Sequence, residues 1–439
     1  MIEWWSILLF FFISFSILIF IGVPVSFSFL FINVIGSFIF MGGVQGVKQL
    51  SLSIYSALSN FTITPIPLFI LMGEIIFQSG IAFKALNVID KFFGKIPGRL
   101  SILSVAASTF FSGLTGSAIS NTALLGSILI PEMKKKGYGK PFIIGPIIGS
   151  GGLAMMIPPS ALAVVLGSVA HISVAGILVG SILPGLIMAS LYTLYIITRA
   201  LIQPSLAPAY ESQKHSKTTI LKEFFLFVLP LFSVVILVIA PIYFGAATPT
   251  ECAALGCLGS LVLSAFYKKL NLAILKKSLE VTTKISCMIF LIIAGSVGFG
   301  QIISFTGAGN GMTLFMSSLS ISKTTLIILT IIIMLILGCF MDQIAMMMIT
   351  LPLFMPLIHQ YQINPVWFGI IMLIAMDIGF TSPPFGLLLF VFKGIAPDDI
   401  SMPDIYKAAI PFILCNLITI ILILVFPNIV LYVTDIVKH

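Results

Sequence analysis

Charge is scarce in this chain. Only 8% of its 439 residues are Asp, Glu, Lys or Arg, while 59% are hydrophobic. Soluble domains carry roughly 25% charged residues. A soluble chain of this length would lack the charge to cover its surface, which excludes a cytosolic enzyme and a disordered chain. The net charge of +8 does not mark a nucleic-acid binder, because the basic residues fall between apolar stretches, as membrane topology requires. Cysteines are few: Cys252, Cys257, Cys287, Cys339 and Cys415, an odd set without a CxxC pair. They suggest neither a disulfide framework nor a zinc site. His171, His215, His359 and His439 are scattered without metal-ligand spacing. No GxxxxGK[ST] loop exists to cradle phosphates, and no serine stands in a GxSxG elbow. No enzyme activity, transition metal or nucleic-acid partner is expected. Met1-Ile2-Glu3 offers no basic n-region, so no secretory signal is expected.

Apolar length is abundant. A membrane-spanning helix needs about 20 mostly apolar residues. Segments 5–40, 62–82, 174–198, 224–244, 250–267, 285–305 and 406–432 meet that need. The first is long enough to tilt, or to break near Gly22 and Pro24. Segments 141–170 and 365–395 are apolar but interrupted, at Gly149-Ser-Gly-Gly with Pro158-Pro159 and at Gly379 with Pro383-Pro384. Backbone opened in this way is tolerated at membrane depth only inside protein or beside a wet cavity. The reading is an all-α polytopic membrane protein in contact with the lipid bilayer.

Basic residues orient the chain. Of the 22 Lys and Arg, 17 fall in clusters at 84–99, 134–140, 199–222 and 268–284. Placing all four clusters inside gives a cytoplasmic N-terminus and an outward C-terminus. Segment 100–133 then enters and leaves on the same side. Its 34 residues are too few for two crossings, which need about 40. It reads as a re-entrant helical hairpin with its tip at Ser112–Ser117; a single kinked span is the competing reading. Segment 268–284, with paired lysines among Leu and Ile, reads as an amphipathic helix on the inner interface.

The pattern recurs. Gly113 to Pro131 and Gly338 to Pro356 both span 18 residues; Pro131 to Pro158 and Pro356 to Pro383 both span 27. The offset is 225 throughout. A second hairpin follows at about 325–358, flanked by few basic residues, so the copies are expected to be inverted. The expected organisation is an N-terminal scaffold helix and interfacial segment over 1–61, then repeat 1 over 62–198. A cytoplasmic linker covers 199–223, scaffold helices and the interfacial arm 224–284, and repeat 2 285–439. Inverted repeats with broken helices are the sequence signature of a secondary transporter.

The hairpin tips and breaks are the candidate site. Half-helix N-termini suit an anion, and unwound carbonyls suit a cation. Packing is the competing reading at any single glycine. Of the acids at membrane depth, Asp342 stands at the second tip. Asp377 precedes the second break and either binds an ion or braces the break. Glu74 suggests a structural hydrogen bond and Glu251 a helix cap. Ser120, Asn121 and Thr122 lie one turn past the first tip, where they either contact a polar substrate or bond across the hairpin.

The runs Phe111-Ser-Gly-Leu-Thr-Gly-Ser117, Leu125-Gly-Ser-Ile-Leu-Ile-Pro-Glu-Met133, Ile157-Pro-Pro-Ser160, Leu183-Pro-Gly185, Thr248-Pro-Thr-Glu251 and Thr381-Ser-Pro-Pro-Phe-Gly386 carry a family resemblance. They resemble the large membrane subunit of tripartite ATP-independent periplasmic (TRAP) transporters, across most of the chain and in the expected order. Cys252 departs from the Ala usual after Thr-Pro-Thr-Glu, with a packing effect expected. The resemblance implies Na⁺-coupled import of an organic acid by an elevator mechanism, in a bacterial inner membrane. It also implies a separate four-helix membrane subunit and a periplasmic binding protein as partners, and no cofactor beyond Na⁺ as coupling ion. By the family pattern one Na⁺ would lie at Ser112, Gly113, Thr115, Gly116 and Ser117 against Gly149 and Pro158. A second would lie at Gly338 and Asp342 against Gly379, Thr381 and Pro383. Substrate would sit between the tips, near Ser120, Asn121, Thr122, Ser160 and Ser382. The text around the first tip is most similar to the sialic-acid branch. A C4-dicarboxylate TRAP subunit and a stand-alone Na⁺/dicarboxylate carrier are the alternatives.

Overall fold

A computed structural model describes residues 3–92, 96–115, 117–208, 216–319 and 321–436. Among these residues every regular element is a helix. Two repeats, each with a re-entrant hairpin and a broken helix, make up the fold. The hairpins are Arg99–Thr115 with Ala118–Lys135, and Lys323–Gly338 with Gln343–Gln360. Gln343–Gln360 is long and apolar enough to cross a membrane, yet only four residues separate it from the helix it folds back from. The broken helices are Lys140–Met156 with Ala161–Val169, bent by 43°, and Pro365–Thr381 with Leu387–Ile395. Both Pro-Pro bonds at the breaks, Pro158-Pro159 and Pro383-Pro384, are cis.

Segment 5–40 is not one span. Helices Trp4–Phe20 and Val25–Phe40 turn back on each other at Gly22, whose φ of +91° favours a residue without Cβ, and at Pro24. Phe15 lies against Phe29 with ring centroids 4.7 Å apart and Phe10 meets Phe40 edge-on at 5.6 Å, pairings that antiparallel helices give. The cytoplasmic N-terminus expected from sequence assumed one crossing here. With two helices in place of one, the count of passes on which that expectation rests changes.

Segment 268–284 is not a separate arm either. Helix Leu272–Phe305 runs unbroken for 34 residues, about 51 Å, well beyond the ~30 Å of a hydrocarbon core. The lysines at 276, 277 and 284 ride its overhanging end. The counterpart in the first half is broken into Val44–Leu58, Phe61–Ile63 and Pro65–Ser79. Asn60 caps the short middle turn by accepting the Thr62 N–H at 3.0 Å, and Pro65 removes a donor the continuous ladder needs. The equivalent stretch around 287–292 holds neither Pro nor Gly. The element correspondence thus reaches further than the spacing indicated: Trp4–Phe20 and Val25–Phe40 match Leu229–Tyr243 and Pro249–Phe266.

Five crossings separate the two hairpins, an odd number, so they enter from opposite sides. The ends of the molecule agree. At one end Lys134 meets Asp399 at 2.6 Å, Lys140 meets Asp404 at 2.8 Å, Lys91 meets Glu223 at 2.5 Å and Arg99 meets Asp90 at 2.8 Å. At the other, His171 and His359 line one cavity. Glu74 accepts from Gln78 within its helix at 3.0 Å, and Glu251 completes a capping box with Thr248; both acids are structural.

Candidate functional site

The first hairpin is tied to the first broken helix by hydroxyls. Ser101, Ser104, Ser108 and Ser112 recur at spacings of three, four and four, which places them on one face of Arg99–Thr115. Ser101 donates to the Phe142 carbonyl at 2.7 Å. Ser104 pairs with the Ser150 hydroxyl at 3.3 Å, and Ser108 donates to the Ser150 carbonyl. From the other arm, Asn121 donates to Ser108 at 2.6 Å and to Ser112 at 3.4 Å. The tip is thereby clamped against the helix that breaks at Pro158.

At this tip Ser112 is buried and Ser117 caps Ala118–Lys135, accepting the Ser120 N–H at 3.3 Å. Gly113 and Thr115 fall in the last turn of the first arm; Gly116 lies outside the described residues. A Cβ on Gly149 would stand 2.2 Å from Phe412, so its smallness also serves packing against Met402–Val425. Pro158 lines an apolar groove of about 1010 Å³ shared with Phe110, Leu186 and Phe232. Ser160 is buried and caps Ala161–Val169 through the Ala163 N–H at 3.3 Å. Ser120 is partly exposed, but Asn121 and Thr122 are fully buried. Asn121 has spent its amide donors inside the hairpin, whereas its Oδ1 and the Thr122 Oγ1 have no partner. Thr122 faces Gly151, where a Cβ would lie 2.0 Å from its hydroxyl.

The second tip is built differently. Gly338 and Gly379 bring backbone onto backbone, since a Cβ on Gly338 would fall 2.6 Å from the Gly379 Cα. Asp342 caps Gln343–Gln360, its Oδ1 accepting from the N–H of Ile344 at 2.9 Å and of Ala345 at 3.0 Å. No such bond occupies its second oxygen. Thr381 turns its hydroxyl back to the carbonyls of Asp377 and Ile378, at 2.9 and 3.2 Å. Ser382 does the same to Ile378 at 2.6 Å. Pro383 is half-exposed, and its carbonyl accepts from the Cys339 thiol at 3.5 Å.

The two half-sites meet. Buried Gln343, on the second hairpin, donates to the Met155 sulfur at 3.1 Å, just before the first break. Sequence reasoning missed Ser108, Ser150 and Gln343. The helical spacing of the serines was a legible signal; Gln343 had none. Three capped helix starts, at Ser117, Ser160 and Asp342, and an uncapped one after Gly386 present helix N-termini, the electrostatics an anion needs. Both arginines, Arg99 and Arg199, lie at the basic end.

Comparison with known proteins agrees with this geometry. The family model described as "Tripartite ATP-independent periplasmic transporter, DctM component" matches residues 12–429. The C4-dicarboxylate TRAP transporter large permease protein DctM of Pseudomonas aeruginosa is 28% identical over 87% of this chain and 88% of its own length. The sialic acid large permease SiaM of Vibrio cholerae is 27% identical over 95% of this chain and 96% of its own length, and the ectoine large permease TeaC of Halomonas elongata is also 27% identical, again over 95% and 96%. Among solved structures the Alcanivorax borkumensis YdaH transporter superposes with a TM-score of 0.66 at 15% identity, covering 88% of this chain and 90% of that one. That likeness bears on fold alone. With a family model spanning nearly the whole chain, the protein belongs to the tripartite ATP-independent periplasmic transporters, as their DctM component, the large permease.

Proposed function

We propose that this large permease imports a carboxylate driven by Na⁺, with sialic acid as substrate. The observation that carries the reading is the meeting of two oppositely entering hairpin tips with two broken helices, joined by Gln343 and Met155. One Na⁺ would sit at the first tip, from Ser112 to Ser117. The other would sit at the second, where Asp342 keeps one carboxylate oxygen uncommitted while the other caps the helix. Substrate would lie between them, its carboxylate held by helix N-termini and hydroxyls such as Ser120, Ser160 and Ser382. Asn121 and Thr122 would shape the site from behind. The hairpins and broken helices would travel as one body against a scaffold formed by Trp4–Phe40, Leu229–Phe266 and the long helix Leu272–Phe305. A separate small membrane subunit and a periplasmic binding protein complete the system, in a bacterial inner membrane, with both termini of the permease outside.

Relatives named for C4-dicarboxylates, ectoine and isethionate make substrate the part to test first. Proteoliposomes containing the permease, its small subunit and the binding protein are given labelled sialic acid with and without an inward Na⁺ gradient. Uptake that needs both Na⁺ and binding protein is the expected result. Uptake of C4-dicarboxylates instead would replace the substrate, and uptake without binding protein would make the permease a stand-alone carrier.

A further inference from the structure

Charged groups gather at two separate places in the fold. Asp377 is fully buried on Pro365–Thr381, where its Oδ2 accepts from Asn416 Nδ2 at 2.9 Å. It rests on Gly152 of the other broken helix, where a Cβ would lie 1.9 Å from Oδ1. The two are counterparts, each six residues before its Pro-Pro pair. That acid belongs to the site already described. The second gathering lies at the basic end of the molecule, outside that site.

There a cavity of about 370 Å³ lies between three helices. Lys140 and Pro141 line it from the start of Lys140–Gly151, and Arg199 from the last turn of Ile182–Ile202. Asp404, Lys407 and Ala408 line it from the first turns of Met402–Val425. The lining thus holds three cations and one carboxylate. That carboxylate is already engaged: Asp404 accepts from Lys140 at 2.8 Å, and from the Ser401 hydroxyl at 2.8 Å and N–H at 3.1 Å. Asp399 at the same end is held by Lys134. Among the described residues neither Arg199 nor Lys407 forms an ion pair. Arg199 is oriented without an acid. It donates to the Tyr195 hydroxyl, and its guanidinium carbon lies 5.9 Å from the Phe142 ring centre and 5.8 Å from that of Tyr195. Aromatic contact positions the planar fork but leaves its charge standing. A guanidinium and a lysine sharing one cavity are the donor set of a phosphate.

The helix outside the cavity shows what presents the phosphate. From Lys407 the residues Ile410, Leu414, Ile418, Ile421 and Val425 follow at spacings of three, four, four, three and four, which places them on one face. Each of the five is between 44 and 61% exposed. The face runs for about 27 Å, nearly the ~30 Å of a hydrocarbon core. It meets lipid tails, and exposed Lys407 stands at its inner end, where headgroups lie. A soluble anion makes no use of that stripe, whereas a phospholipid fills both parts.

We infer that this cavity binds an anionic phospholipid, its phosphate received by Arg199 and Lys407 and an acyl chain lying along the exposed face of Met402–Val425. The lipid fastens the inner end of the first broken helix to the membrane surface. The site is remote from both hairpin tips and independent of the substrate.

The test uses the purified full chain, stripped of native lipid by detergent exchange, with phosphatidylglycerol and phosphatidylcholine as probes. Native mass spectrometry counts retained lipid, and thermal unfolding reads stabilisation. One phosphatidylglycerol per chain should stay bound under conditions that remove phosphatidylcholine. Lys407→Gln should weaken its binding about fivefold, the share of one cation at a membrane surface. Arg199→Gln combined with Lys407→Gln should remove the preference altogether. Lys135→Gln, at an exposed lysine of the same end outside the cavity, should leave it unchanged. Equal retention of the two lipids, or a wild-type preference in the double variant, overturns the proposal. So does a loss in Lys135→Gln equal to that in Lys407→Gln, which would reduce the effect to general surface charge. Stabilisation by inorganic phosphate equal to that by phosphatidylglycerol would make the ligand a soluble anion and overturn the lipid. If Arg199→Gln does not fold, Lys407→Glu decides: charge reversal should abolish retention, and wild-type retention overturns the site. None of these readouts uses transport, so they stand or fall apart from the Na⁺ reading of the tips.

Discussion

The two hairpins do the same job with opposite chemistry. The first is pinned by hydroxyls and an amide: Ser104, Ser108 and Asn121 around Ser150. The second carries Met346 where the first has Asn121, and Met346, Met347 and Met348 are all fully buried. Its tip is held by the bare contact of Gly338 and Gly379. Hydrogen bonds are directional and fix one register. A methionine surface is soft and repacks. The first hairpin is built to keep its place on the broken helix, and the second to tolerate displacement while its two glycines keep tip and break in contact.

That difference can be broken most severely at the glycines. Gly379→Ala gives repeat 2 the residue that repeat 1 carries at Ala154, yet its Cβ would meet the Gly338 Cα at 2.8 Å. With backbone on both sides, overpacking costs about 3 kcal/mol. Uptake should fall by at least about 100-fold, a change equivalent to roughly 2.7 kcal/mol, and the melting temperature should drop. Wild-type uptake in Gly379→Ala would show that close approach is not required.

Asp342 comes next. Asp342→Ser keeps a capping oxygen and removes the free one, so the hairpin should fold while Na⁺-dependent uptake collapses. Asp342→Ala should also lose about 1 kcal/mol of cap energy. If both variants respond to Na⁺ as wild type and only Asp342→Ala melts lower, the acid is only a cap.

A swap sharpens the comparison directly. Asn121→Met strips Ser108 and Ser112 of their amide donor, with a cost of about 1–3 kcal/mol. Met346→Asn buries an amide without partners at a similar cost. Each should lower thermal stability in detergent, and their effects should add, since the hairpins are tied to different helices. Stability of either single variant equal to wild type would remove the polar-against-soft distinction.

The smallest effect is expected at the basic end. The Lys134 ammonium holds the exposed Asp399 carboxyl below its ordinary range. A depressed acid contributes stability that is full above its unfolded value of about 4 and is lost as pH falls through the folded value. Asp399→Asn should therefore change melting little at neutral pH and nothing in strong acid, and added salt should erase even the neutral difference.

Much of this was legible in the sequence. Proline and glycine punctuation located both hairpins and both breaks, although Pro131, Pro352, Pro356 and Pro411 sit inside continuous helices. The sequence leaves open whether Gly22-Val-Pro24 is a reversal or a tilt, since apolar length alone does not separate one long helix from two short ones. The run from Leu272 to Phe305 escaped because Lys276, Lys277 and Lys284 resemble an interfacial pattern whether or not the helix continues. Of the site, Asp342 was found at its tip, but its capping bond was not. Gly149 illustrates the general limit: nothing local says whether a small residue makes room for an ion or for Phe412.

Gly152 and Asp377 occupy one position in two copies of the same unit, and they touch. In a chain built by duplication, most positions come to face unrelated neighbours; a position on the axis faces its own twin. Two aspartates there would press carboxylate on carboxylate, and two glycines would leave a hole. Two identical halves would have no stable way to hold an acid at this point. The crossing holds its carboxylate because the halves differ there, Gly152 giving the room that Asp377 fills.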